Sequence, residues 1–125
     1  KIYQDFRYYN YFNAKEAYKK PSYESQIQLK RFKLRLIKLK NIIDNNNFKP
    51  IFITQLMYNG LIDSNLYFIN EELKKFALDN NFDLIPLDET LEMEAYDFYD
   101  PTHTTPKGSK RIADTIYPYS KKYLN

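Results

Sequence analysis

The sequence has no cysteine, no valine and no tryptophan, and only two glycines. Without cysteine there is no disulfide and no thiolate metal site, although the compartment stays open because reducing and oxidising locations both tolerate such chains. Two glycines in 125 residues leave no Gly-rich phosphate-binding loop. There is no apolar run as long as a membrane span and no signal peptide at the start. Charge of one sign is also scarce. The excess is +3, from 19 basic and 16 acidic residues, too mild to argue for nucleic acid. The sequence opens on Lys1 rather than methionine, so we expect further chain before it.

What is abundant is apolar and aromatic. Of all residues, 43% are apolar and 18% aromatic, enough for a packed core and far from the composition of disorder. The length allows one domain. Lys, Asn, Ile, Tyr and Phe dominate, the skew an AT-rich coding sequence produces, so the 13 tyrosines are not read as a base-stacking or sugar-binding surface.

The chain around its sole histidine, His103, is the most informative. Asp100 stands three residues before it, Pro101 lies between them, and Thr105-Pro106 follows. Proline fixes its own φ and disfavours helix for the residue before it, so Asp100 and Thr105 are expected in extended or turn backbone. Thr105 then suits an N-cap and Pro106 a first helical residue, with Ile112, Ala113 and Ile116 as the buried stripe. The expectation is a loop holding Asp and His rigidly before a helix start, which suits a general base and its orienting carboxylate. Two other readings of these residues exist. His103 could be a loop histidine that caps the final helix, or Asp97, Asp100 and His103 could ligate a metal; a single histidine and a stiffened loop disfavour the metal.

In chain order, residues 1–20 are aromatic and polar without period, read as a loop or irregular helical turns lying on something. After Pro21, Ser22 or Ser25 caps a helix near 25–44, and Ser25-Gln-Ile-Gln28 has capping-box spacing. Leu29, Phe32, Leu36, Leu39 and Ile43 form its stripe. Lys30, Arg31, Lys33, Arg35, Lys38 and Lys40 fill the other positions. A groove-binding or membrane-surface helix is one reading of these charges; a solvated outer face is the one preferred. Asn45-Asn-Asn47 ends the helix, and Pro50–Leu56 reads as a buried strand followed by an Asn59-Gly60 turn. A second helix near 65–80, capped by Asp63 or Ser64, carries Leu66, Ile69, Leu73, Phe76 and Ala77 and stops at Asn80-Asn81. Phe82–Leu87 is a second strand, ended or placed at an edge by Pro86. An acidic loop of Asp88, Glu89, Glu92, Glu94 and Asp97 follows, then a helix near 106–117 that Pro118 should kink or end.

The order of these blocks resembles the C-terminal portion of the SGNH (GDSL-type) hydrolases over roughly residues 25–117. The residues that carry it are Ile53-Thr54-Gln55, Asn70-Glu71-Glu72-Leu73, Leu87-Asp88, Asp100-Pro-Thr-His103, Thr105-Pro-Lys-Gly108 and Ile112-Ala113. The resemblance implies an α/β three-layer α/β/α sandwich with a mostly parallel, flavodoxin-like sheet, of which residues 1–125 are the C-terminal part and residues 1–20 a variable insertion. It implies His103 as the general base that activates a serine, and Asp100 as its orienting acid. The family's Gly-Asp-Ser nucleophile block and its oxyanion Gly and Asn are absent, and Ser22, Ser25, Ser64, Ser109 and Ser120 lack that context. The nucleophile is therefore expected upstream, and this chain alone is expected to be inactive. The implied activity is hydrolysis, deacetylation or acyl transfer on a small ester or an acylated carbohydrate or lipid, with no cofactor, metal or nucleic acid. A non-catalytic SGNH-like binding module and a basic nucleic-acid-binding domain are the alternatives.

Overall fold

The computed structural model describes residues 11–57 and 64–123. Helix α1 spans Tyr11–Ala17 and α2 spans Tyr23–Asn46. Strand β1 is Ile51–Ile53, α3 is Ser64–Asp79 and β2 is Asp83–Ile85. A short α4 (Leu87–Thr90), a 3₁₀ turn (Ala95–Asp97), α5 (Pro106–Ser120) and a closing 3₁₀ turn (Lys121–Tyr123) complete the order. The expected Asn59-Gly60 turn, the Asp63 cap and the first half of the 1–20 segment lie outside the described residues. Within that segment Tyr11–Ala17 is a regular helix, with Tyr11 and Ala14 in the core, rather than a loop or irregular turns.

Local chemistry explains the helix ends. Ser22 is the N-cap of α2, accepting from Ser25 N at 3.1 Å. Ser25, the other capping candidate, is instead buried inside the helix and donates to Asn65 at 2.5 Å. Asn47 and Asn81 follow α2 and α3 with φ of 54° and 55°. Asn tolerates this left-handed backbone better than other side chains, which is why both helices stop at Asn runs. Helix α5 continues two residues past Pro118 to Ser120, because the missing N–H removes one bond without forbidding the last turn.

The two strands pair in parallel, with Ile51 opposite Asp83, Phe52 opposite Leu84 and Ile53 opposite Ile85. The βαβ rhythm is therefore present, but the three-layer α/β/α sandwich with a mostly parallel sheet is not. Helix makes up about two-thirds of the described residues, and the sheet has two three-residue strands. A sandwich needs a central sheet buried on both faces. Here Ile51 and Ile53 are 37% and 39% exposed although Ile85 beside them is buried, and on the opposite face Phe52 packs on Phe76 and Phe82. The main core lies beyond the strand ends, where Tyr11, Ala14, Leu56, Leu66, Tyr67, Leu87, Met93 and Phe98 meet. Helix α3 covers the small sheet through Phe76, while the main core forms between helices and the connecting chain.

Polar contacts hold the chain that leaves β1. The buried Asn70 side chain accepts from Gln55 N at 3.0 Å and donates to Gln55 O at 2.9 Å, so α3 supplies the partner a third strand would have supplied. Buried Thr54 donates to Asp88 at 2.6 Å and accepts from Asp88 N at 3.0 Å, tying β1 to α4. Asn70→Ala would strip Gln55 of both partners and is expected to cost about 1–3 kcal/mol in urea denaturation. An unchanged midpoint would show that Asn70 does not hold this segment.

Candidate functional site

Asp97 anchors the loop that carries the sequence-predicted residues. It is fully buried, and its carboxylate accepts from Glu94 N at 2.8 Å and from Arg111 Nη1 on α5. Arg111 Nη2 also donates to Glu92 O at 2.8 Å, so one guanidinium clamps both ends of the turn before the loop. The Asp97 carbonyl accepts from Thr105 N at 2.8 Å. Gly108, in the first turn of α5, packs on that same carbonyl: a Cβ there would stand 2.1 Å from the oxygen. Only glycine permits this approach. Between the anchors, Phe98 and Thr104 form an antiparallel bridge, and Tyr99 N donates to His103 O at 2.8 Å. Thr105 is the N-cap of α5, accepting from Gly108 N at 3.2 Å, with Pro106 in the first turn. The cap of this helix is Thr105 rather than His103, so the helix-capping reading does not describe the histidine.

Asp100 and His103 face each other at the loop tip. Asp100 Oδ1 accepts from Thr102 N at 2.9 Å and His103 N at 2.8 Å; its Oδ2 lies 2.6 Å from His103 Nδ1. The two backbone N–H groups, then the imidazole, hold the Asp100 carboxyl down at about 2. An ionised carboxylate only accepts, so Nδ1 carries the hydrogen, and in a neutral ring Nε2 is then the nitrogen with the lone pair. Nε2 has no hydrogen-bond partner among the described residues. The side chains are 77% and 47% exposed, with the ring open to an incoming group.

The other candidates do not join this pair. Asp97 turns inward to Arg111, so Asp97, Asp100 and His103 do not converge as a metal site. Among the described residues no group of three His, Cys, Asp or Glu side chains could hold a metal ion. The hydroxyl of Ser109 is paired with Thr104 at 2.6 Å, and Ser120 donates to Tyr117 O at 2.9 Å. Neither they nor the capping Ser22 and buried Ser25 supply a hydroxyl to the ring.

Sequence reasoning missed a second cluster. Asp88, read as part of an acidic loop, is buried, and Lys74 reaches it at 2.9 Å, Glu71 at 2.8 Å and Glu89 at 3.3 Å. Burial pulls the ammonium down, but the hydrogen bonds it donates to Glu71 and Asp88 outweigh that and raise Lys74 above its ordinary value. The ammonium also stands 4.0 Å over the Tyr11 ring. Burial pushes the Tyr11 phenol up to about 12. A cleft of about 200 Å³ beside it, lined by Tyr11, Phe12 and Asp88 to Glu92, does not include His103. Glu71 and Lys74 at i, i+3 were visible in the sequence; Asp88 meeting them was not, because it is brought there by the β2–α4 connection.

No protein-family profile, curated protein or solved structure matches the chain.

Two outcomes test the loop. Gly108→Ala forces a methyl into the Asp97 carbonyl and is expected to cost about 1–3 kcal/mol in thermal melts, as overpacking does. It should also displace the His103 ring signals in NMR. An unshifted melt would show that the contact is slack. For pH, a carboxyl lowered in the folded state stabilises above its unfolded value. The Asp100 contribution is thus present above about pH 4 and lost as pH falls toward 2. A carbon-detected titration should find that low midpoint. In His103→Ala it should remain below the ordinary carboxylate range, because both backbone donors are kept.

Proposed function

We propose that His103 and Asp100 are the base and orienting acid of a serine ester hydrolase of SGNH type, acting in hydrolysis, deacetylation or acyl transfer. The observation that carries the reading is the 2.6 Å contact between Asp100 Oδ2 and His103 Nδ1, with Nε2 left open. In this arrangement Asp100 selects the tautomer and stabilises the imidazolium. Nε2 takes the proton of a serine hydroxyl and returns it to the leaving alcohol. The serine and the oxyanion donors belong, in this reading, to chain outside these 125 residues. That chain, or the substrate, also covers the exposed pair, since an ion pair in open water is screened and weak. The substrate class is a small ester or an acylated carbohydrate or lipid.

The test uses the complete protein that carries this chain. A fluorophosphonate should label one serine. His103→Ala should abolish turnover of a short-chain nitrophenyl ester, and Asp100→Asn should lower kcat on the order of 10²–10⁴-fold. Loss of turnover with intact binding of acylated glycan would place His103 in the chemistry. Unchanged turnover in His103→Ala removes it from catalysis, and a full-length sequence lacking any Gly-Asp-Ser block would favour a binding module instead.

A further inference from the structure

Helix α2 has two apolar faces, and only one of them is used. Leu36 and Ile43 are buried inward, beside half-buried Leu29 and Phe32. On the opposite side Tyr23, Ile27, Leu34 and Ile37 recur at steps of four, seven and three. They are large and exposed, Leu34 by 55% and Ile37 by 58%. Lys30, Arg31, Arg35 and Lys38 stand among and beside them. The cations nearer the core are paired, Lys33 with Glu72 at 3.7 Å and Lys40 with Asp44 at 2.5 Å. The four outer ones have no carboxylate partner among the described residues. The acidic residues of α2 are Glu24 and Asp44, near its two ends, and Asp44 is taken by Lys40.

We infer that this outer face of α2 docks on an anionic bilayer surface. The inference is independent of the esterase reading. The face asks for two things at once: negative charge for the four cations and an apolar layer for the side chains between them. The headgroup boundary of an anionic bilayer offers both, taking a basic-flanked apolar row lying in its plane. A nucleic acid would meet the cations but leave Leu34 and Ile37 against phosphates. A second copy meeting the same row would set cations against cations. The helix is about 36 Å long and is already held by its inner face, so docking carries no folding cost. No described helix is long and apolar enough to cross a membrane, so the contact lies on the surface.

The experiment is vesicle co-sedimentation of the protein carrying this chain, with equimolar phosphatidylglycerol and phosphatidylcholine against phosphatidylcholine alone. Binding to the anionic vesicles alone, weakening with salt, is expected. Neutralising Lys30, Arg31, Arg35 and Lys38 to Gln should weaken it on the order of a hundredfold or more. Leu34→Asn with Ile37→Asn should weaken it independently, and both variants, altered only at exposed positions, should keep the parent circular dichroism. Equal binding to both vesicle types, or to neither, overturns the proposal. So does binding to a DNA duplex that survives the Leu34 and Ile37 changes while vesicle binding is absent, which would assign the face to a polyanion.

Discussion

The loop that carries Asp100 and His103 hangs on the contact between Gly108 and the carbonyl of Asp97. A backbone carbonyl buried under a helix start must be hydrogen-bonded, and Thr105 N does this. The side chain of the same residue takes the Arg111 guanidinium, which arrives one turn later on the same helix. Thus α5 grips Asp97 twice, through backbone and through charge. The segment from Phe98 to Thr104 is left as a short closed loop whose ends are set by the core. Its geometry then follows from small parts: a bridge at its base, a proline, and a carboxylate that collects two N–H groups and an imidazole at its tip.

That construction accounts for how an exposed pair can be rigid. Side chains in open water normally pay rotamer entropy for each ion pair and gain little from it. Asp100 is spared much of that because Oδ1 is already held by the backbone, so Oδ2 is aimed before the ring arrives. The order of donors is informative. The backbone groups lower the carboxyl more than the imidazole does, so the acid is ionised whatever the state of its partner. An orienting group in proton transfer needs that property, since it must remain a carboxylate while the imidazole cycles.

The rest of the chain shows how a small sheet shifts work onto helices. With three residues per strand, the ladder satisfies few backbone groups. Side chains satisfy others, as Asn70 does for Gln55, and Thr54 with Asp88 extends the tie past the strand end. The half-buried Lys74, paired with buried Asp88, closes the same corner. One long helix, α2, is consequently the outer wall, and its solvent side carries apolar and cationic groups that the fold itself does not consume.

Much of this was legible in residue order. Helix starts and stops came from Ser22, Asn47, Asn81 and Thr105-Pro106, because caps act within a few residues. The Asp100-Pro-Thr-His103 spacing placed both side chains on one tight loop for the same local reason. The architecture was not legible: two apolar runs read as strands of a buried sheet, yet short pairing and exposed Ile51 and Ile53 left the core to the helices. Nor was the fate of the acidic run, where Asp88 and Asp97 went inward to Lys74 and Arg111 while Glu92 remained exposed. By itself the sequence determined where the three long helices begin and end and which two residues meet at the loop tip, since those depend on neighbours in the chain. Tertiary structure alone decided the layer arrangement and which charges are buried, because burial is set by partners tens of residues away that no local pattern encodes.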